Sequence, residues 1–301
     1  MRALETPPPA PALAAASLLL LRDGDAGLEV FHVRRAATMA FSAHATAFPG
    51  GRVDPADDAD LAPAVTTAPG AADLDAWARR LGLADRPVET QAQDEPAAVA
   101  ARFLAAVVRE TFEETGVLLA RTVDGGPAGA ETAAALAPRR AAVERHEQEF
   151  VTLLAEHGLV PDAAGLRAWQ RWITPVGVPR RYDTAFFLVA VPEGQEPDRL
   201  TTEATEHGWA APAALIEAFR AGEVNLMTPT WAQLRALRDL GSVAEALEAG
   251  AADTPIPVVQ LVPDRSPDGR REEFAHADEY LADVRSFRAH ARVAETPDNI
   301  L

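Results

Sequence analysis

Three carboxylates at helical spacing are the most chemically loaded feature of this chain. Glu110, Glu113 and Glu114 stand at i, i+3 and i+4, so in a helix they share one face. The preceding Phe103-Leu104-Ala105-Ala106-Val107-Val108 reads as the helix body, with apolar positions 103, 104, 107, 108 and 111 on the adjoining face. Like charges this close destabilise a helix by roughly a few tenths of a kcal/mol per pair unless something cationic sits among them. A hard divalent ion with oxygen ligands suits such a set. The plainer alternative is a solvated acidic face.

The elements that position these residues can be read outward from them. Asp94-Glu95-Pro96 is a helix start, with Pro in the first turn and acids at the positive end of the dipole, and Gly116 is the stop. Upstream stands Phe48-Pro49-Gly50-Gly51-Arg52-Val53-Asp54, whose paired glycines let backbone approach a ligand closely. Before it, apolar runs at 15–21 and 28–33, separated by Asp and Gly, read as a β-hairpin. Residues 55–96 look like an insertion, Asp-rich at first, with a short amphipathic helix at 74–81.

Downstream, residues 131–157 read as amphipathic helix. His146-Glu147 within it is no zinc-protease motif, because Phe150 stands where the second His is needed. A further helix is expected around 163–170. Residues 185–191 are the best buried strand, and 201–209 read as a loop entering a strand. Helices are expected at 212–222, 231–240, 242–248 and 275–292, with a last strand at 255–263.

Composition narrows the function classes. The chain has 301 residues, 48% hydrophobic, enough for a real core, and no cysteine. That excludes disulfides and thiolate zinc sites and fits a reducing, cytoplasmic setting. The net charge of −17 argues against nucleic-acid binding, which needs Lys and Arg to neutralise phosphates. It leaves room for a small phosphorylated substrate if metal ions and local arginines offset repulsion. Arg34, Arg35, Arg180 and Arg181 are the candidates, since a guanidinium fork suits phosphate oxygens. No apolar run approaches the ~20 residues that span a bilayer, so no membrane partner is expected. The run at 11–21 has Glu5 and three prolines before it and no small-residue cleavage site after it, so it reads as a strand rather than a signal peptide.

Taken together, the Gly-Gly stretch and the glutamate helix resemble the two halves of the Nudix box: Gly, five residues, Glu, seven residues, Arg-Glu-apolar-any-Glu-Glu-any-Gly-apolar. Arg109-Glu110-Thr111-Phe112-Glu113-Glu114-Thr115-Gly116-Val117 matches the second half, with Thr111 at the apolar position. Six positions after Gly51 stands Asp57, where the family has its first Glu; Asp54 and Asp58 are the alternatives if the loop register shifts. Asp57 and Arg109 are 52 positions apart where the box has 8, so 44 residues are inserted within the motif. A smaller group of Nudix proteins, including eukaryotic coenzyme A diphosphatases, is similar in this insertion. It is similar also in Trp172-Ile173-Thr174-Pro175 and in the stretch Pro179-Arg180-Arg181-Tyr182-Asp183-Thr184-Ala185-Phe186-Phe187. The usual coenzyme A signature before the Gly-Gly pair is only partly kept: Arg35-Ala36 fits, while Ala40 and His44 replace its Arg and Gly.

The resemblance implies a mixed-sheet α/β/α sandwich with a helical insertion at about 58–101 and a C-terminal helical extension at about 228–301. Residues 13–301 are expected to form one domain behind a loose tail at 1–12. It implies a diphosphate hydrolase using Mg²⁺ or Mn²⁺, held by Glu110 and Glu114 with Glu113 sharing, and with the Gly50 carbonyl and Asp57 as further ligands. Arg109 is expected to orient Glu113. The general base is a box glutamate or a later loop glutamate, Glu203 or Glu206, with Glu206 preferred. The expected substrate is coenzyme A or its acyl esters, giving 3′,5′-ADP and phosphopantetheine. ADP-ribose, NADH or a dinucleotide is the alternative, as is a catalytically weak nucleotide-sensing module. A homodimer is left open.

Overall fold

The computed structural model describes residues 10–35, 45–55, 57, 62, 64, 73–198, 204–260 and 274–290. The first strand, β1 (Ala12–Gly24), forms a hairpin with β2 (Gly27–Arg35), closed at Gly24↔Gly27. The two-residue turn suits Gly27, whose φ is 116°, a left-handed conformation that costs glycine little. β1 lies at the centre because it also pairs in parallel with β8 (Arg181–Ala190) over ten residues, Ala12↔Arg181 to Leu21↔Ala190. Its Leu18-Leu19-Leu20-Leu21 run is buried on both faces: Leu18 and Leu20 enter one core, Leu19 and Leu21 the other. A strand covered on both sides has no need of apolar–polar alternation.

Around β1, β3 (Ala45–Ala47), β4 (Gly50–Arg52), β7 (Arg167–Ile173), β9 (Ala204–Ala210), β10 (Asn225–Leu226) and β11 (Val258–Gln260) complete a mixed nine-stranded sheet of order β10-β3-β2-β1-β8-β7-β11. β4 is added to β1 and β9 to β2. A separate pair, β5 (Ala120–Thr122) and β6 (Leu159–Pro161), is antiparallel. On one face pack α1 (Leu74–Arg80), α2 (Pro96–Thr115), α3 (Ala130–Leu136), α4 (Arg140–Glu144) and α5 (Phe150–Glu156). On the other lie α6 (Pro212–Arg220), α7 (Thr228–Leu237), α8 (Val243–Ala249) and α9 (Ala277–His290). This is the expected α/β/α sandwich.

Two sequence expectations give way. The helix expected around 163–170 is a turn followed by strand β7. Gly165 interrupts any helix there, and Trp169, Trp172 and Ile173 fit a half-buried pleat beside β8, with a register shift between Ala168 and Gln170. The continuous helix at 131–157 is three short helices. Pro138 lacks an N–H to continue the ladder and falls in a 3₁₀ turn at Ala137–Arg139. The second break contains His146, at φ 55°.

The 73–95 part of the insertion is bolted to the sheet by two arginines. Buried Arg171 on β7 meets Asp183 on β8 at 2.6 Å through both Nε and Nη2, and its Nη1 donates to the Leu81 and Arg86 carbonyls at 3.1 and 2.8 Å. Arg181 grips both oxygens of Glu89 at 2.6 and 2.8 Å and donates to the carbonyls of Ala10, Thr174 and Pro175. The hydrogen bond from Arg181 is the main reason the Glu89 carboxyl is held below its ordinary range. Removing one partner of a buried pair strands the other charge and costs about 3–5 kcal/mol. Asp183→Ala is therefore expected to lower the unfolding free energy measured in urea by about that amount and to open residues 73–95 to limited proteolysis. A variant with unchanged stability and cleavage pattern would show that the pair does not hold the insertion.

Candidate functional site

The glutamate face is made by α2 lying over β1 and β4. Pro96 occupies the first turn of α2, and Gly116 ends it in the left-handed conformation at φ 74°, its N–H donating to the Phe112 carbonyl. Alanines 100, 101, 105 and 106 are fully or almost fully buried, and their small side chains let the helix sit close to the sheet.

In the Phe-Pro-Gly-Gly stretch Gly50 is required by contact with backbone, and Gly51 leaves room for a carboxylate. A Cβ on Gly50 would lie 2.2 Å from the Ala16 carbonyl oxygen, and its φ is 147°. A Cβ on Gly51 would lie 2.3–2.6 Å from the three carboxylate atoms of Glu110. The Gly50 N–H donates to Glu114 Oε2 at 2.9 Å. The absent side chain of Gly51 thus makes the slot that Glu110 occupies, and Gly50 aims Glu114.

Arg109 ties the set together. Its Nη1 is 3.0 Å from Glu113 Oε2 and 3.0 Å from Glu110 Oε1. Its Nε and Nη2 take both oxygens of fully buried Asp57 at 2.7 and 2.9 Å, and Nη2 also donates to the Arg52 carbonyl. Burial alone would lower the Arg109 pKa; the hydrogen bond to Asp57 and the charges of Glu110, Asp57 and Glu113 raise it instead. Asp57 also accepts the Asp54 N–H at 2.7 Å. The register counted from Gly51 is therefore the one that reaches Arg109. The expected metal-ligand role for Asp57 is corrected, because its carboxylate is taken up by the guanidinium.

Glu110 is pushed up to about 7, first by burial and then by the charges of Glu113 and Asp57, against the pull of Arg109. Burial raises Glu113 too. Glu113 Oε1 is buried without a hydrogen-bond partner, an acceptor unused by the protein itself. Among the described residues no group of three or more His, Asp or Glu side chains is arranged to hold a metal ion as it stands. The carboxylates of Glu110, Glu113 and Glu114 on one helix face are hard oxygen donors, the ligand type that Mg²⁺ takes while keeping several of its waters.

Other expected site residues are placed elsewhere. Glu206 stands opposite Arg34 across the β2–β9 pair, 3.2 Å from its Nη1. Phe31, Val33 and Trp209 belong to the core under α2, whereas Val30 and Ala210 belong to the opposite core. Strand alternation therefore turns Arg34 and Glu206 to the face away from the glutamates. On that ground neither Glu206, the preferred base, nor Arg34, a phosphate-binding candidate, is brought together with the glutamates. Arg181 is corrected likewise, since it is buried and committed to Glu89 and three carbonyls. Arg180 is exposed before β8. The Arg35 side chain, His44, Asp58 and Glu203 lie outside the described residues.

One residue at the site had no sequence signal. Buried Arg140 on α4 donates through Nε and Nη2 to the Glu113 carbonyl at 3.2 and 3.1 Å and pairs with Asp198. Its partner is a backbone atom 27 positions away, which no residue pattern announces.

A helix of acids laid over a Gly-Gly strand, inside this sandwich, is the architecture of a Nudix domain. The chain belongs to the Nudix family: the family model described as the NUDT19 Nudix domain matches residues 9–237. It is 34% identical over 152 residues to the acyl-coenzyme A diphosphatase NUDT19 of Homo sapiens, covering 48% of this chain and 40% of that protein. To the Gallus gallus protein of the same name it is 31% identical over 251 residues, covering 73% of this chain and 64% of the relative. The matches thus span less than two thirds of these relatives' length. Among solved structures, the NUDIX hydrolase from Alicyclobacillus acidocaldarius is similar at a TM-score of 0.60 and 29% identity, over 79% of this chain and 96% of that one.

The raised carboxyls make stability depend on pH. For Glu110 the folded value of about 7 exceeds the ordinary 4.5, so the fold binds the proton more tightly than the unfolded chain. Its contribution is full below the ordinary value and is lost as pH rises through about 7. In EDTA, the thermal midpoint is expected to fall between pH 5 and 8, and Glu110→Gln is expected to flatten part of that fall. An equal slope in both proteins would remove Glu110 as the cause.

Proposed function

We propose that this protein is a Mg²⁺- or Mn²⁺-dependent diphosphatase that cleaves the diphosphate linkage of coenzyme A or acyl-coenzyme A, releasing 3′,5′-ADP and (acyl)phosphopantetheine. The observation that carries the reading is the contact between the separated halves of the motif: Gly50 on Glu114, and Glu110 in the slot left by Gly51. The names of the human and chicken relatives support the choice of substrate class.

In this reading Glu110 and Glu114 would hold the ion, Glu113 would share it, and the Gly50 carbonyl would be a further donor; when bound, the ion would offset the diphosphate charge and lower the pKa of a bound water. Arg109, itself fixed by Asp57, sets the rotamers of Glu110 and Glu113 before substrate arrives. The Gly50 N–H does the same for Glu114. With Glu206 on the far face, a box glutamate or Glu203 takes the proton of the attacking water. Preorganised groups of this kind act without reorganising as charge develops.

The deciding assay is incubation with Mg²⁺ or Mn²⁺ and coenzyme A, acetyl-coenzyme A, ADP-ribose, NADH and diadenosine polyphosphates. Release of 3′,5′-ADP from the coenzyme A substrates is expected to exceed turnover of the others. Preference for ADP-ribose would move the substrate class, and tight nucleotide binding without product would favour a sensing module. Glu114→Gln is expected to cut metal-dependent turnover by on the order of 100-fold or more while the circular dichroism spectrum is unchanged. Full activity in that variant would sink the ligand assignment.

A further inference from the structure

The last turn of any helix leaves carbonyls that need partners from outside it. In α2 the Phe112 carbonyl is met by the Gly116 N–H. The next amide, Val117, donates instead to Thr115 Oγ1 at 3.1 Å, so it is turned away from the Glu113 carbonyl. Arg140 takes that carbonyl with two N–H groups at 3.2 and 3.1 Å. The remaining amino group of Arg140 pairs with Asp198, whose own N–H donates to the Thr115 carbonyl at 2.9 Å. Arg140 is 3% exposed. The arrangement is a tertiary cap, and it places a guanidinium at the negative end of the helix dipole.

The capped residue is not an arbitrary one. Glu113 is held by arginines from two directions: Arg109 takes Oε2 of its side chain, and Arg140 takes its main-chain carbonyl. Only Oε1 is left without a partner. A free terminal turn frays, and the carboxylate it carries then moves with it.

We propose that Arg140 is a positioning residue of the glutamate site, fixing the backbone of Glu113 so that its carboxylate keeps its place among the glutamates that would hold a divalent ion. The inference rests on Glu113 as a metal-sharing carboxylate. Arg140 acts through Glu113 and touches neither metal nor substrate. Lysine keeps the charge but lacks the planar fork that spans two acceptors, so Arg140→Lys is an intermediate case between wild type and Arg140→Gln.

The test measures Mn²⁺ affinity by electron paramagnetic resonance in the full-length wild type, Arg140→Lys and Arg140→Gln, with kcat, KM and thermal midpoint beside it. In Arg140→Gln, Mn²⁺ affinity is expected to fall by on the order of 10-fold or more, with kcat reduced and substrate KM unchanged. Arg140→Lys is expected to fall between the two. A lowered thermal midpoint with wild-type Mn²⁺ affinity and kcat would overturn the proposal, leaving Arg140 a merely structural cap. If Arg140→Gln does not fold, Asp198→Asn loosens the same cap from its half-exposed end. It is expected to weaken Mn²⁺ binding in the same direction, and unchanged affinity there overturns the proposal. Wild-type protein that binds no Mn²⁺ would overturn this inference together with the metal reading. Wild-type protein that binds Mn²⁺ but turns over no substrate would sink only the proposed activity, and the affinities would still decide the role of Arg140.

Discussion

The buried pair between Asp57 and Arg109 is the contact on which the site depends, because it joins two chain segments that 51 intervening residues separate. Closing a loop of that size instead of the short one in an uninterrupted motif adds only roughly 1.5–2 kcal/mol of chain entropy. Stranding either member of a buried pair costs about 3–5 kcal/mol. Once the loop is closed, neither partner can be lost without leaving the other charge buried. The insertion is also no free loop. Arg171, Arg181 and Glu89 pin its second half to β1, β7 and β8, so part of the ordering entropy is met by contacts far from the glutamates.

Arg109 explains how three acids can share a helix face that is largely buried. One guanidinium reaches Asp57, Glu110 and Glu113, while Glu114 is served by a backbone N–H from the neighbouring strand. Desolvation still wins at Glu110 and Glu113, whose carboxyls are raised. An acidic face that remains electrostatically uneasy after its internal partners are counted is suited to a divalent cation in a way a solvated face is not. The close fit of Gly51 against Glu110 bears on the same point. Packing spent on placing a carboxylate this tightly brings little stability by itself.

How far the site was legible depended on how local its signals were. The spacing of Glu110, Glu113 and Glu114, the Gly116 stop and the hairpin are all short-range, and each is found where the residues point. Asp57 was reachable by counting, but its role was not, because a carboxylate on a loop looks the same whether it faces an ion or an arginine. Arg181 shows the opposite error. Adjacent arginines before a strand resemble an anion site, yet the partner that settles the matter, Glu89, lies 92 positions upstream. Over residues 163–170 alanine, leucine and arginine favour helix intrinsically; pairing of β7 with β8 and the bond from Arg171 to Asp183 override that weak preference.

The segments outside the motif also support one another. Residues beyond 237, past the family match, return to the sheet as β11 beside β7. There Arg80 of the insertion donates to the Gly250 and Thr254 carbonyls and accepts the Ile256 N–H. On the opposite face, α9 is held by Asp283, which receives Trp231 Nε1 at 2.9 Å and Arg220 Nε at 2.6 Å, and by Phe287 stacked on Phe219 at 4.9 Å. Both elements act on strands that border β1: β7 lies against β8, and α6 and α7 pack beneath β1 and β2. The C-terminal segment therefore reaches the glutamate face through the sheet, whereas the insertion also meets α2 directly, through α1 and through Asp57 on Arg109. Both leave β4 paired with β1 beneath α2, where Gly51 meets Glu110.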